Sequence, residues 1–123
     1  MSSLSNKIDV LVVGAGPTGL LTALELARAG VEVEVIDQAW RSTTQSYACG
    51  IHPSTLELLG RFNVLGAALE AGTKVETMGF YEGADRRAEL RFDQVGGACP
   101  FLLVLPQDRL EELLEEELRQ RGV

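Results

Sequence analysis

An α/β fold built on a parallel strand–helix–strand unit is what this sequence predicts, and three observations predict it. A β-branched apolar run, Ile8 to Val13, stops at a glycine cluster, Gly14 to Gly19. A helical pattern follows, with Leu20, Leu21, Ala23, Leu24 and Ala27 at helical spacing and Gly30 behind them as a stop. The alternating stretch Val31 to Ile36 then reads as a second strand ending at Asp37. Strand, tight turn, helix and strand within about thirty residues is the size of a βαβ unit. Its crossover makes the strands parallel and the connection right-handed. Because the first run is apolar at nearly every position, it predicts a strand buried on both faces.

The elements beyond this unit follow from local patterns. Gln38 to Gly50 is polar and irregular and contains Trp40, Arg41 and Tyr47. His52-Pro53-Ser54 opens a helix, with Ser54 or its neighbour as the cap and Leu56, Leu58 and Leu59 on the apolar side. After Gly60, the run Val64 to Ala71 predicts another short helix, ended by Gly72. Val75 to Tyr81 and Arg87 to Phe92 are strand-like, and Glu82-Gly83-Ala84-Asp85 between them makes an antiparallel hairpin. A Gly96-Gly97 loop precedes a short apolar strand, Phe101 to Leu105. Gln107 to Arg119 is a helix with Leu110, Leu113, Leu114 and Leu118 on one face. The glutamates from Glu111 to Glu117 read as its solvated face.

Composition narrows the function classes. The 123 residues carry 11 Lys+Arg against 18 Asp+Glu, a net charge of −7, with 46% hydrophobic and 24% charged residues. Such a chain is too apolar for disorder and too acidic for a nucleic-acid binder, which needs a basic face. No window approaches the roughly 20 apolar residues that span a bilayer, so no membrane association is expected. Residues 1–7 lack a charged segment followed by an apolar one, so a cytoplasmic chain is expected. Cys49 and Cys99 make neither a disulfide framework nor a metal cluster. The length fits one small domain, so an enzyme needing two is incomplete in it.

Gly14-Ala15-Gly16-Pro17-Thr18-Gly19 is a G-x-G-x-x-G run between a predicted strand and a predicted helix, and Asp37 follows about twenty residues on, at the end of the second strand. Gly14 permits the tight turn, Gly16 lets a pyrophosphate approach the backbone, and Gly19 lets the helix pack against the strands. The N–H groups of the first helical turn and the helix dipole favour the phosphate charge. Pro17 sits where its missing N–H costs little. The Asp37 carboxylate accepts hydrogen bonds from ribose hydroxyls and repels a 2′-phosphate. A glycine-rich turn that binds nothing would not need the strand, the helix and the acid in one register. NAD and FAD share this geometry, so these residues leave the dinucleotide open. His52, the single histidine, has no nucleophile arrangement around it. Cys49 reads as a small packed residue, and Trp40 and Tyr47 either stack on a cofactor or pack down on the domain. No residue is assigned to acid–base catalysis and none to a metal.

Three segments in order resemble the FAD-dependent aromatic hydroxylases, the single-component flavoprotein monooxygenases related to para-hydroxybenzoate hydroxylase. They are Asp9 to Leu20 continued to Val35-Ile36-Asp37, then Gly50-Ile-His-Pro-Ser-Thr-Leu-Glu-Leu-Leu-Gly, then Leu105-Pro-Gln-Asp-Arg-Leu-Glu-Glu-Leu-Leu. The resemblance covers almost the whole chain. It implies a Rossmann-like FAD-binding βαβ unit with an antiparallel hairpin from an inserted substrate domain, apparently truncated. It further implies that Gly14, Ala15, Gly16, Pro17, Thr18 and Gly19 hold the FAD pyrophosphate, that Asp37 holds the ribose with Gln38 beside it, and that Gln107 touches the flavin side near the ribityl chain. Residues 1–74 would be the FAD-binding unit with its following helices, 75–106 the start of the substrate-domain sheet, and 107–123 a helix returning to the FAD-binding domain. The implied reaction is hydroxylation of a small aromatic or polyketide-like substrate. NAD(P)H, a transient reductant, reduces the flavin, and O2 forms a C4a-hydroperoxide that transfers its distal oxygen.

The sequence departs from the family pattern in three places. Tyr47 stands where the family carries an arginine that contacts the cofactor, and Ser54 stands where an arginine precedes Thr55. The later aspartate–glycine and glycine–aspartate segments have no match. A two-stranded parallel sheet with an open apolar face is therefore expected, completed by a missing C-terminal segment or a partner chain. The competing readings are an NAD- or FAD-dependent oxidoreductase of another Rossmann class and a non-catalytic truncated remnant. The Gln107 segment and the lack of a Cys-x-x-Cys weigh against the first of these.

Overall fold

The computed structural model of the chain describes residues 7–39 and 50–123. Trp40, Arg41, Tyr47 and Cys49 lie outside the described residues. The chain divides into two compact units, one of residues 1–45 with 108–123 and one of residues 46–107.

The first unit opens as strand, turn, helix, strand. Strand β1 (Val10–Val13) pairs in parallel with β2 (Val33–Ile36), with Val10 opposite Val33 and Val13 opposite Ile36. Helix α1 (Pro17–Arg28) crosses between them. Pro17 occupies its first turn behind the Gly16 N-cap, and Gly30 takes a φ of 79° just past its end, as the turn chemistry predicts. Leu20, Ala23 and Leu24 form the buried stripe of α1. Of the two expectations for β1, burial on both faces is corrected, and the open apolar face of a two-stranded sheet is observed. Val10 and Val12 are half-buried, but Leu11 and Val13 are 52% and 77% exposed, so the strand is covered on one face only. Leu11 and Val13 share their open face with Glu34 and Ile36 of β2, and among the described residues the sheet has no third strand.

The second unit is built on two antiparallel sheets. The strand Leu102–Val104 lies between two short strands, Gly50–Ile51 and Thr73–Val75, and pairs with both. In chain order these three strands are β3 (Gly50–Ile51), β4 (Thr73–Val75) and β7 (Leu102–Val104). Helices α2 (Pro53–Leu59) and α3 (Leu65–Ala71) bury Leu56, Leu59 and Ala68, and the core also takes in Phe62, Val64, Phe92 and Leu103. His52, not Ser54, is the N-cap of α2, and its side chain makes no capping bond. Pro53 takes the first helical position, which leaves Ser54 inside the helix. The hairpin forms from β5 (Thr77–Glu82) and β6 (Asp85–Arg91), with Gly83 at a φ of 60° in its turn. The run expected from the sequence, Val75 to Tyr81, joins the last residue of β4 to β5. The chain parts them at Glu76, whose carbonyl accepts the Phe92 N–H at 2.8 Å.

Helix α4 (Gln107–Gln120) buries Leu110, Leu114 and Leu118. Its acidic face is not wholly solvated. Glu117 is only 5% exposed and accepts the Arg121 guanidinium at 2.8 Å, which satisfies the buried carboxylate. No helix among the described residues is long and apolar enough to cross a membrane.

Candidate dinucleotide site

The glycine turn acquires its shape from three different demands. Gly14 leaves β1 at a φ of 110°, a left-handed conformation that L side chains rarely adopt, while its N–H donates to the Ile36 carbonyl at 2.7 Å. A Cβ at Gly19 would lie 1.9 Å from the Gly14 carbonyl oxygen and 3.4 Å from Val12 Cγ1, so α1 sits directly on the turn. A Cβ at Gly16 would meet no atom of the described residues within 4 Å. Gly16 therefore opens onto free space while Gly19 closes the helix down. That combination is the cradle that an approaching pyrophosphate requires.

The start of α1 faces this space. The Leu20 N–H is bonded to the Gly16 carbonyl at 3.0 Å, so the N–H groups ahead of it fall outside the helical ladder. The first turn carries no acidic side chain to compete for them. Thr18 is exposed, and its carbonyl accepts the Thr22 hydroxyl at 2.8 Å.

Asp37 follows β2 directly, and its carboxylate reaches back to the turn. Oδ2 accepts the Ala15 N–H at 2.7 Å and Oδ1 accepts the Ala39 N–H at 2.7 Å. The Ala15 bond, then the Ala39 bond, hold its carboxyl below the ordinary value of 3.8, against a small opposing effect of burial. The structure thus brings Gly14, Ala15, Gly16, Gly19 and Asp37 together. Gln38 is exposed between Asp37 and Ala39. Gln107 is half-buried at the first position of α4 and belongs to the second unit.

Ala15 and Asp37 line an open crevice of about 1140 Å³, whose walls include Val33 and Val35 of β2. Leu118 and Arg119 of α4 line it too, as do Gly122 and Val123 beyond the helix. Sequence reasoning missed this second wall. The leucine spacing of α4 signals burial but carries no information about which crevice the helix flanks. It also missed the Ala39 N–H, because a backbone donor leaves no mark on residue type.

Known proteins share the fold of this chain. The chain superimposes with a TM-score of 0.82 on p-nitrophenol 4-monooxygenase from Pseudomonas putida, at 29% identity, covering 92% of this chain and 29% of that one. It does so equally, at 0.82, on an anhydrotetracycline hydroxylase from Streptomyces rimosus, at 32% identity, covering 94% and 23%. In sequence it is 38% identical over 116 residues to an uncharacterized aromatic compound monooxygenase of Bacillus subtilis, covering 94% of this chain and 23% of that protein. The chain therefore spans about a quarter of the length of these relatives. Residues 7–123 match the family described as FAD binding domain, and the chain belongs to that family.

Proposed function

We propose that this chain is the FAD-holding N-terminal portion of an NAD(P)H-dependent flavoprotein monooxygenase that hydroxylates a small aromatic or polyketide-like substrate. One observation carries the reading: the Gly16 backbone opens onto free space at the start of α1, with the Asp37 carboxylate 2.7 Å from the Ala15 N–H beside it. When bound, FAD supplies the redox chemistry, taking electrons from NAD(P)H and passing an oxygen atom of O2 to the substrate.

The chain's own residues bind and orient. Gly14, Ala15, Gly16, Pro17, Thr18 and Gly19 take the pyrophosphate, through backbone N–H groups and the positive end of α1. Asp37 accepts the adenosine ribose hydroxyls, with Gln38 next to it. Gln107 serves the ribityl side. No residue of this chain is assigned a proton transfer on the substrate. In this reading residues 1–74 are assigned to the FAD-binding domain with its following helices, 75–106 to the start of the substrate-domain sheet, and 107–123 to a helix returning to the FAD-binding domain. The names of the relatives, which include pentachlorophenol 4-monooxygenase and 6-methylpretetramide 4-monooxygenase, support an aromatic or polyketide-like substrate. The NAD(P)H supply fits a cytoplasmic setting. The open face of Leu11, Val13 and Ile36 supports completion by further polypeptide, on the same chain or a partner.

The test is a fluorescence titration of the chain with FAD and with FMN, which lacks the adenosine half. The reading predicts that FAD binds and that ADP displaces it, while FMN binds at least about tenfold more weakly. Equal binding of FAD and FMN, or displacement of neither by ADP, would contradict it.

A further inference from the structure

We infer that Asp37 is a positioning residue for the pyrophosphate cradle as well as a ribose acceptor, its carboxylate clasping the β1–α1 turn to the chain that leaves β2. The inference rests on the FAD reading and extends it from the ribose to the phosphates. The geometry is a three-bond stitch. Gly14 N–H is held by the Ile36 carbonyl, Ala15 N–H by Asp37 Oδ2 and Ala39 N–H by Asp37 Oδ1, each at 2.7 Å. One carboxylate thus joins two segments, residues 14–15 and residues 37–39. Ala15 lies between Gly14, whose φ is 110°, and Gly16, whose Cα faces open space. Anchoring its N–H fixes the Gly14–Ala15 peptide plane, next to the point where a phosphate approaches. A hydrogen bond to a carboxylate is stronger than one between neutral groups, so this anchor is a firm one. Each carboxylate oxygen accepts more than one bond, so the clasp leaves lone pairs on both for ribose hydroxyls.

The clasp reverses the sign that simple electrostatics gives. A carboxylate next to a pyrophosphate repels it, so deleting the charge alone would strengthen binding of the phosphates. If the carboxylate also sets the turn, deleting it weakens that binding, whether or not the ligand has ribose hydroxyls.

Two measurements test this. In the ligand-free chain, the amide signals of Ala15 and Ala39 are followed by NMR in the wild type, Asp37→Ala and Asp37→Asn. The clasp predicts that both amides shift and lose exchange protection in Asp37→Ala. One of the two does so in Asp37→Asn, which keeps a single acceptor oxygen. The remaining β1 and β2 signals stay in place, which shows that the variant is folded. The second measurement compares FAD with its 2′,3′-dideoxyadenosine analogue, which has no adenosine ribose hydroxyls. Asp37→Ala is expected to weaken the analogue as well, on the order of tenfold. Unchanged or tighter binding of the analogue by Asp37→Ala would overturn the proposal, leaving Asp37 as a ribose acceptor alone. Amide signals indifferent to both substitutions would overturn the clasp itself. If the wild type bound neither flavin, the FAD reading would fail, and the amide signals would decide the clasp on their own.

Discussion

At Gly19 a side chain has nowhere to go, because the 1.9 Å approach to the Gly14 carbonyl oxygen is far inside van der Waals contact and the obstacle is backbone. Gly19→Ala must therefore push α1 off the turn. It is expected to cost about 1–3 kcal/mol of stability, as overpacking does, and to be visible as a lower denaturation midpoint. Gly16→Ala is the contrast. Its Cβ meets no atom of the described residues and its φ of −76° suits alanine, so the poorer N-cap and the lower chain entropy of alanine oppose each other, and stability should change by about 0.5 kcal/mol or less. Asp37 adds a pH dependence of defined sign. Its folded carboxyl titrates below 3.8 because it accepts the Ala15 and Ala39 N–H groups. The contribution of those bonds is complete above the unfolded value and is lost as pH falls through the lower, folded one. An NMR titration of the Ala15 amide should show its midpoint below 3.8, and a midpoint at or above that value would contradict the bonding.

The elements differ in how much the sequence reveals of them. The βαβ unit was legible because its signals are local and agree: an apolar run, a glycine turn, a 3.6-residue stripe, a stop glycine and an acid at the right distance. Strand β3 was not legible. Two residues carry no period, and Gly50–Ile51 is a strand only because Leu103 and Val104 pair with it. The break between β4 and β5 was missed for a similar reason, since Thr73–Val75 owes its pairing to β7, far along the chain. Ser54 failed as a cap because Pro53 fixes the first helical turn one residue earlier. Of the site, the glycines and Asp37 were readable from residue type and spacing, whereas the Ala39 donor and the Arg119 wall depend on the folded path. The half-burial of β1 separates its residues energetically. Leu24 of α1 is 0% exposed and Leu11 of β1 is 52% exposed. Leu24→Ala is expected to cost about 2–5 kcal/mol. Leu11→Ala should cost within about 1 kcal/mol in this chain, because its methyl groups are only partly withdrawn from water. Chemical denaturation of the two variants checks the ordering, and equal losses would contradict it.

Across the whole molecule, apolar surface stands open in both units. Leu11, Val13 and Ile36 face outward on the parallel sheet, and Phe80, Tyr81 and Leu90 do so on the hairpin. A two-stranded sheet with one covered face is a weak unit by itself, and its open edge invites pairing. The chain spans 23% of its Bacillus subtilis relative. The activity proposed above is accordingly that of proteins about four times as long, while Gly14, Gly16, Gly19 and Asp37, the proposed dinucleotide cradle, lie within the first unit. That cradle is the central claim, and calorimetric titration of the 123-residue chain with FAD, beside Gly16→Val, tests it most directly. The account predicts one FAD per chain in the wild type and no measurable binding in Gly16→Val, whose side chain would fill the space left for the pyrophosphate, with the variant still folded. Binding that survives Gly16→Val unchanged, or a folded wild-type chain that takes up no FAD, would contradict it.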